Sequence, residues 1–562
     1  MTDELAPARA ALGAAHAYAE TVRSRLRAEL APQGTPDPAL LGRAQHAVHG
    51  YAWLAATLAM LEAGLDWAAR AAALGSFGTL EALVLRIGMG EYLGQIVHGL
   101  PMSASEIVRP AAFGCEAEAR ALAAEPAVAH FLAEGSTPES RAALAALLAE
   151  GARPHEALGD ETLDLIRAEL RAFTAAEITP HAHAWHLADA LIPEEVIAAM
   201  AALGVFGICI PAEHGGLGLG KLAMAVVSEE LSRGWICAGS LGTRAEIAGE
   251  LISANGTRAQ QERWLPRIAD GTCLPTAVFT EPDTGSDLAA VRTRAERQAD
   301  GSWRVTGAKT WITHAARADL MTMLVRTDPA APGHAGLSML LAAKTRGTEC
   351  DPFPDPGISG SEIPVLGYRG MKEYALGLDG FAVAADGLLG GVEGQGFKQL
   401  MRTFEGARIQ TAARAIGVAW NAFDLARDYA LGRHQFGAPL ISFPRIADKL
   451  ALMVVETVLA RELTYAAARA KDRAVRCDIE AGMAKLIAAR AAWSAADNAV
   501  QIHGGNGYAL EYPISRVLCD ARILNIFEGT AEIQAQVIAR GLLAGQGQAA
   551  ATVPAAPAER AA

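Results

Sequence analysis

The sequence predicts an α+β protein in which helical domains enclose a small antiparallel β domain, with an extra helical domain at the N-terminus. Apolar residues recur at i, i+3 and i+4 on both sides of a central segment, whereas polar and apolar residues alternate within it. The 562 residues are too many for one hydrophobic core. Only 6% of the residues are aromatic although 51% are hydrophobic, which favours closely packed, alanine-rich helices. We therefore expect an N-terminal helical extension, a second helical domain, a β domain, a C-terminal helical domain and a disordered tail, at residues 1–155, 156–272, 273–393, 394–544 and 545–562.

Helical periodicity is clear in all three helical domains. Breaks rich in proline and glycine separate the periodic runs. The predicted helices are Ala10–Leu30, Gln45–Ala72, Gly78–Val97, Leu163–Phe173, Pro193–Leu203, Lys221–Leu231, Phe397–Leu431, Pro444–Arg473 and Asp478–Val500.

The central segment has the alternation typical of half-buried strands. Asp300-Gly301 marks a hairpin turn between the first two clear strands. The predicted strands are Arg292–Ala299, Trp303–Thr313, Asp319–Arg326, Gly336–Ala343 and Tyr374–Val383.

Charge and cysteine content exclude several classes of protein. A formal net charge of -13 argues against nucleic-acid binding, which normally requires a basic surface. The seven cysteines form no C-x-x-C pair, so the sequence indicates neither a metal site nor a disulfide framework. The N-terminus is acidic and lacks the layout of a signal peptide. We expect a cytoplasmic protein that does not span a membrane.

A glycine-rich turn lies near the C-terminus, within Gln501–Tyr508. Gly504, Gly505 and Gly507 would allow the backbone to approach a bulky ligand where a Cβ atom would collide.

An isolated carboxylate follows this turn. Glu528 comes directly after Ile526 and Phe527, apolar neighbours that we expect to desolvate it, raise its pKa and make it a better base. Thr530 is placed to cap a helix that begins at Ala531.

Three further segments present groups suited to a large polar and aromatic ligand. Thr280–Asp287 follows the first strand of the β domain and offers hydroxyls and backbone amides. Lys309–Thr313 alternates an indole with a hydroxyl, which suits an aromatic ring. Arg433–Gly437 lies at a helix end, where an arginine could meet a phosphate.

Together these segments resemble the signatures of the acyl-CoA dehydrogenase family, in that family's order and spacing, over residues 160–543. The resemblance implies the family's fold: a helical domain, a small β domain and a C-terminal four-helix bundle. It also implies an FAD cofactor held between the β domain and the C-terminal helices. Gly216–Lys221 has neither the G-x-G-x-x-G nor the P-loop spacing, as expected for that mode of binding.

The resemblance assigns FAD contacts residue by residue. It implies flavin contacts by Thr280, Gly285, Ser286, Trp311 and Thr313. It implies contacts with the FAD of a neighbouring subunit by Arg433, Gln435, Phe436, Gln501 and Gly505, and contacts at the adenine end by Thr530 and Glu532. An oligomer with shared FAD sites follows. We expect a homodimer, with the extension covering a surface that other members use to form tetramers, and a tetramer stays open as the alternative.

The family reaction is α,β-dehydrogenation of an acyl-CoA thioester, with electrons passed on to an electron-transfer flavoprotein. Glu528 matches the residue that removes the α-proton. Some relatives carry the base at the position of Ala407, and alanine cannot accept a proton. Ser286 is implied to touch the substrate, and Arg408 to line the CoA channel.

The acyl group is the open question. Arg244 aligns near the end of the acyl pocket, where it would pair either with a substrate carboxylate or with Glu246 or Glu250. Glu373 and its neighbour Lys372 stand where the family usually has small hydroxyl residues, so Glu373 is expected to affect the polarity of the pocket or flavin. We expect a short, branched dicarboxylyl-CoA substrate. A neutral acyl-CoA, an acyl-CoA oxidase and a non-catalytic adaptor of the same fold stay open.

Overall fold

The computed structural model describes residues 5–473 and 476–546, and these follow the predicted order of helices, sheet and helices. Most of the tail predicted to be disordered, 547–562, lies outside the described residues. None of the helices in the described ranges combines the length and apolar character that a membrane span requires.

The N-terminal extension consists of helices and one short hairpin. Its helices are α1 Leu5–Leu30, α2 Pro38–Arg43, α3 Gln45–Ala73, α4 Thr79–His98, α5 Glu116–Ala124, α6 Pro126–Glu134 and α7 Pro138–Ala149, and its hairpin pairs β1 Leu100–Pro101 with β2 Ile107–Val108.

Two further helical regions flank the sheet. The region before it contains α8 Glu161–Phe173, a π-helical turn Thr174–Ile178, α9 Thr179–Leu187, α10 Glu194–Ala202, α11 Lys221–Gly234, α12 Ile236–Asn255 and α13 Arg258–Ala269. The region after it contains α14 Gly396–Gly432, α15 Pro444–Asp472, α16 Asp478–His503, α17 Ile514–Ile523 and α18 Ala531–Leu543, with a hairpin of β10 His434–Gln435 and β11 Ala438–Pro439 between α14 and α15.

The β domain is one sheet with the strand order β3-β6-β4-β5-β9-β8, and β7 also pairs with β6. Its strands are β3 Pro275–Val278, β4 Arg294–Arg297, β5 Trp303–Thr313, β6 Leu320–Arg326, β7 Leu337–Ala343, β8 Ile358–Ile363 and β9 Glu373–Val383. Pairing is antiparallel, as predicted, except that β3 and the end of β4 run parallel to β6. The sequence analysis missed β8 because four of its six residues are exposed and carry no alternating apolar pattern.

The N-terminal extension packs directly on the C-terminal helices. α3, α4 and α7 cross α15, and α3 also contacts α18. A Cβ atom at Gly88 of α4 would lie 2.7 Å from a terminal methyl group of Leu459 in α15, so a larger residue there would force that leucine to shift. The Tyr92 hydroxyl donates to Glu456 at 2.7 Å across the same interface. The extension thus shares one hydrophobic core with the domains that follow it.

Candidate active site

Glu528 lies in the loop between α17 and α18, in a turn held from two sides. Its φ is 53°, a left-handed conformation that is uncommon for a non-glycine residue and typical of functional sites. Lys485 of α16 donates to the Gly529 carbonyl at 2.6 Å, and Gln534 of α18 donates to the Glu528 carbonyl at 3.1 Å. Thr530 accepts a hydrogen bond from the Ile533 amide, which confirms the predicted helix cap.

Both carboxylate oxygens of Glu528 accept hydrogen bonds. Oε1 accepts from Arg244 at 2.6 Å and from Arg414 at 2.9 Å. Oε2 accepts from the Thr411 hydroxyl at 2.6 Å. The side chain is 13% exposed. The carboxylate therefore lies between α12 and α14, with an arginine from each helix.

The expected rise in the pKa of Glu528 was wrong. Burial does favour a higher pKa, but the Arg414 and Arg244 guanidinium groups and the Thr411 hydroxyl outweigh it, and the pKa of Glu528 lies below its ordinary value. The sequence neighbours Ile526 and Phe527 indicated the burial correctly and gave no indication of the two cations, which come from distant helices.

Arg414 is anchored by several groups besides Glu528. It donates to the Ser240 hydroxyl at 3.2 Å and to the Thr411 hydroxyl at 2.9 Å, and its guanidinium lies 4.9 Å from the centre of the Phe527 ring. Its side chain is fully buried. Ser240 in turn hydrogen-bonds the Tyr368 hydroxyl. This network fixes Arg414 against α12 and α14.

Arg244 has fewer contacts than Arg414. Glu528 is the only hydrogen-bond acceptor that it contacts among the described residues, and its Nε atom is buried without a partner there. The alternative pairing with Glu246 or Glu250 was wrong, because both of those carboxylates contact Lys221, Glu250 at 3.0 Å. Arg244 is a buried cation, 8% exposed, and the predicted base is the one acceptor that it has within residues 5–473 and 476–546.

Glu373 lies in the same buried region at the start of β9. Its Oε1 accepts from the Thr313 hydroxyl at 2.7 Å, and its Oε2 is buried without a hydrogen-bond partner in the described part of the chain. Burial raises the pKa of Glu373 to about 7. Arg408 of α14 is half-buried, and burial lowers its pKa.

The residues predicted to contact flavin lie on the β domain, at the end of β5 and in the loop that follows β3. Trp311 is 56% exposed and has a φ of 58°, so a large aromatic side chain is held outward by a strained backbone. Thr280 is half-buried and Ser286 is exposed. A side chain at Gly285 would meet no atom of this chain.

The residues predicted to reach a neighbouring subunit's FAD lie elsewhere on the surface. Arg433, Gln435 and Phe436 are exposed around the β10–β11 hairpin, Phe436 at 96%. Gln501 and Gly505 are exposed as well. Glu532, which was assigned to the adenine end, is also exposed. None of these residues forms a hydrogen bond or ring contact with the Glu528 carboxylate.

The three glycines of the turn near the C-terminus differ in what surrounds them. A Cβ atom at Gly507 would lie 2.5 Å from the Val500 carbonyl, so Gly507 is required by packing. Side chains at Gly504 and Gly505 would meet no atom of this chain. Gly504 has a φ of 59°, a conformation that favours glycine, so only at Gly505 does any constraint have to come from outside the chain.

Sequence analysis missed Arg414, Thr411 and Lys485. The first two share a helix face with Arg408, at i, i+3 and i+6, within an alanine-rich helix. That spacing of polar residues in an otherwise apolar helix could have identified them. Lys485 is fully buried, and burial lowers its pKa to about 7. No sequence pattern distinguishes it from a surface lysine.

Comparison with known families identifies the three domains that follow the extension. Models of the N-terminal, middle and C-terminal domains of acyl-CoA dehydrogenases match residues 160–272, 276–380 and 394–543, respectively.

Individual relatives extend this comparison. The chain is 57% identical over 546 residues to the (2S)-methylsuccinyl-CoA dehydrogenase of Cereibacter sphaeroides, an alignment that covers 96% of this chain and 98% of that protein. The structure of a glutaryl-coenzyme A dehydrogenase with glutaryl-CoA is 33% identical with a TM-score of 0.65, and covers 69% of this chain and 96% of that one. A glutaryl-CoA dehydrogenase from Mycobacterium smegmatis in complex with FADH2 is 28% identical with a TM-score of 0.62, covering 68% and 95%.

Proposed function

This chain belongs to the acyl-CoA dehydrogenase family, and we propose that it catalyses the FAD-dependent dehydrogenation of (2S)-methylsuccinyl-CoA to mesaconyl-CoA. The observation that carries the choice of substrate is the pairing of the buried Arg244 with Glu528 at 2.6 Å. It places a cation beside the predicted base, where a dicarboxylyl substrate needs one. The 57% identity to an enzyme named for this substrate supports the same choice.

The residues present fit FAD. Trp311 offers an outward-facing indole on a strained backbone, and the Thr313 hydroxyl lies nearby on β5. At Gly285 and Gly505 no atom of this chain occupies the space where a side chain would be, which leaves room for a ligand. Bound FAD supplies the acceptor for the hydride that leaves the β-carbon. Thr280, Gly285, Ser286, Trp311 and Thr313 would hold its flavin side, Thr530 and Glu532 its adenine side, and Arg433, Gln435, Phe436, Gln501 and Gly505 the FAD of a partner subunit.

Glu528 serves as the base that takes the α-proton. Its side chain is the carboxylate on which α12, α14 and the loop before α18 converge, and the Lys485 and Gln534 contacts fix its turn. A fixed base raises the rate because orientation is already established when the substrate binds. Ala407, at the alternative position for a base, is buried and inert.

Arg244 binds the distal carboxylate of the substrate. A buried guanidinium is costly unless an acceptor faces it, and a carboxylate matches its geometry. Arg244 has free hydrogen-bonding capacity, because its Nε atom has no partner in the described part of the chain. A neutral acyl group would leave that capacity unused.

Glu373 and Arg408 have supporting roles in this proposal. With a pKa raised to about 7 by burial, Glu373 is neutral in a substantial fraction of molecules near neutral pH, so it does not repel a nearby substrate carboxylate strongly. Its contact with Thr313 links it to the flavin side of the site. Arg408, on the same helix as Arg414, lines the path of the CoA moiety, and Ser286 touches the substrate.

The electrons pass to an electron-transfer flavoprotein, and the chain forms a homodimer. The extension covers α15 with α3, α4 and α7, so this helical surface cannot contact another subunit. A stable tetramer in light scattering would contradict the homodimer.

Anaerobic bleaching of the purified yellow protein tests the proposed function. (2S)-Methylsuccinyl-CoA should bleach the flavin rapidly, whereas butyryl-CoA and isovaleryl-CoA should bleach it much more slowly. Preferential bleaching by a neutral acyl-CoA would overturn the substrate, and an absence of flavin would overturn the enzymatic activity. Reoxidation by oxygen as fast as by an electron-transfer flavoprotein would indicate an oxidase instead.

A further inference from the structure

We propose that Arg244 changes partner during the reaction: the distal carboxylate of the substrate takes Arg244 from Glu528, and Glu528 becomes an effective base only then. The inference deepens the proposed function and rests on it for the identity of the carboxylate. It adds that the substrate carboxylate controls the base as well as the binding of the substrate.

Glu528 cannot act as an effective base while all its contacts are in place. Three donors from Arg244, Arg414 and Thr411 occupy its two oxygens at 2.6 to 2.9 Å. Each of these bonds stabilises the carboxylate relative to the carboxylic acid that proton transfer would form. Loss of one of these donors therefore raises the proton affinity of Glu528 and makes it a stronger base.

Arg244 is the donor placed to leave. Arg414 is fully buried and also contacts Ser240, Thr411 and the Phe527 ring, so several interactions oppose its movement. Thr411 is buried on α14 and donates from a short, fixed side chain. Arg244 has Glu528 as its single acceptor among the described residues, and a long side chain that can turn away from it.

The charges favour the exchange. Arg244, Arg414 and Glu528 together carry one uncompensated positive charge. A substrate carboxylate neutralises that charge and replaces Glu528 on Arg244 without leaving either arginine unpaired. A neutral acyl group cannot do so, because breaking the Arg244–Glu528 pair would then leave a buried cation alone.

The proton transfer follows from this exchange. The α C–H bond breaks, an O–H bond forms on Glu528, and the electron pair of the C–H bond is delocalised onto the thioester carbonyl. Arg414 and Thr411 keep the carboxyl group oriented. A substrate without a distal carboxylate therefore reacts slowly even when it saturates the enzyme.

The test is the anaerobic bleaching rate of the FAD-loaded protein at saturating ligand, with two ligands of nearly equal shape. In 2-methylbutyryl-CoA a methyl group replaces the carboxylate of methylsuccinyl-CoA. For Arg244→Gln we expect the saturating rate with 2-methylbutyryl-CoA to rise at least about threefold, because Glu528 becomes a stronger base. We expect the rate with methylsuccinyl-CoA to fall.

A rate with 2-methylbutyryl-CoA that stays unchanged or falls in Arg244→Gln would overturn the exchange. Arg244→Met removes the same hydrogen bonds and serves as a second variant if the glutamine variant folds poorly. Arg167→Gln is the matched control, a buried arginine outside the site, and it should change both rates by the same factor. If methylsuccinyl-CoA fails to bleach the unsubstituted protein, the proposed function fails, and the 2-methylbutyryl-CoA rates still decide whether Arg244 restrains Glu528.

Discussion

Two buried clusters of arginine and glutamate side chains lie in this protein, and they differ in how many partners each arginine has. One is the group around Glu528. The other lies where the extension meets α8 and α15. Arg461 of α15 is 1% exposed there and contacts Glu462 at 3.1 Å, Glu156 at 3.4 Å and the His155 carbonyl at 3.0 Å.

Two other arginines of the second cluster, Arg167 and Arg171, also have several acceptors each. Arg167 donates to the Tyr465 hydroxyl at 2.7 Å and to the Glu156 carbonyl, and lies 3.7 Å from Glu230. Arg171 contacts Glu230 at 2.7 Å and Glu156 at 2.8 Å. Arg461, Arg167 and Arg171 each have at least two acceptors, so no single exchange can free one of them. Arg70, at the edge of this cluster, contacts only Glu462 among the described residues, but its side chain is a third exposed and water can solvate it.

The comparison teaches that burial of charge does not by itself identify a catalytic site. Both clusters are buried, and both contain carboxylates whose pKa is lowered by arginines. What distinguishes the site is Arg244, a cation with one acceptor in the described part of the chain and a partnerless Nε atom. A cluster with many partners for each arginine stabilises the fold, whereas one with a replaceable partner can respond to a ligand.

The largest expected effect comes from removing the base. Glu528→Gln should retain FAD and lose turnover by about 10³-fold or more, because the amide cannot accept the α-proton. Steady-state turnover with methylsuccinyl-CoA checks this, with the flavin spectrum confirming the loaded protein. Glu139→Gln, an exposed residue of the extension, is the matched control. Full activity in Glu528→Gln would remove Glu528 from its role.

A substitution in the second cluster should lower the stability of the protein and leave turnover unchanged. Burial works against ionisation of Glu156, but Arg461 and Arg171 outweigh it and lower its pKa from 4.5 to about 2. Glu156→Gln should therefore lower the free energy of unfolding at pH 7 by about 3 kcal/mol. Because the folded pKa is the lower one, this difference is fully present above about pH 5 and shrinks as the pH falls from about 4.5 towards 2.

Urea denaturation at several pH values, with Glu161→Gln as an exposed control on the same side of the molecule, measures this difference. Turnover per folded molecule should stay unchanged. A Glu156→Gln variant with normal stability at pH 7 and reduced turnover would contradict the division between the two clusters.

A smaller effect is expected from the lysine that holds the Glu528 turn. Lys485→Met removes the hydrogen bond to the Gly529 carbonyl and should lower turnover about tenfold, since a misplaced base loses orientation. Lys449→Met is the matched control, because that lysine contacts Asn498 on the same bundle and not the turn. Equal losses in both variants would indicate general destabilisation.

The smallest expected effect is a shift in a pH profile. The charged groups that act on Glu528 are Arg414, Arg244, Arg408 and Lys485. Two further carboxyl groups act on those cations, Glu373 on Arg244 and Glu532 on Lys485. The acid limb of kcat/KM should lie below the ordinary pKa of glutamate, because the base has to be ionised and the arginines lower its pKa. In Arg244→Gln this limb should move to higher pH by about one unit. An unmoved limb would show that Arg244 does not act on the base.

Sequence patterns were enough to predict most of the fold. Long helical runs such as Pro444–Arg473 and alternating runs such as Trp303–Thr313 could be predicted from the spacing of their apolar residues, although the structure buries Pro444–Asp472 on most of its faces. The polar strand β8 has no such spacing and was not predicted. The role of Gly88 could not be predicted from the sequence, because this glycine packs against a leucine, Leu459, in a distant helix.

The site was only partly predictable. Glu528 could be selected by its local neighbours and by family resemblance, and Arg244 by its place in the acyl pocket. The contact between these two residues could not be predicted, because it joins α12 to the loop before α18 across 284 positions of sequence. The direction in which the pKa of Glu528 is shifted depends on that contact and on Arg414, so the prediction from the local sequence was wrong.

The most direct measurement is a crystal structure of the FAD-loaded protein with mesaconyl-CoA, which carries the distal carboxylate and cannot reduce the flavin. We predict that Arg244 hydrogen-bonds the ligand carboxylate and no longer contacts Glu528, while Arg414 and Thr411 keep their contacts with it. A structure in which Arg244 remains on Glu528 and the ligand carboxylate binds other groups would contradict the account.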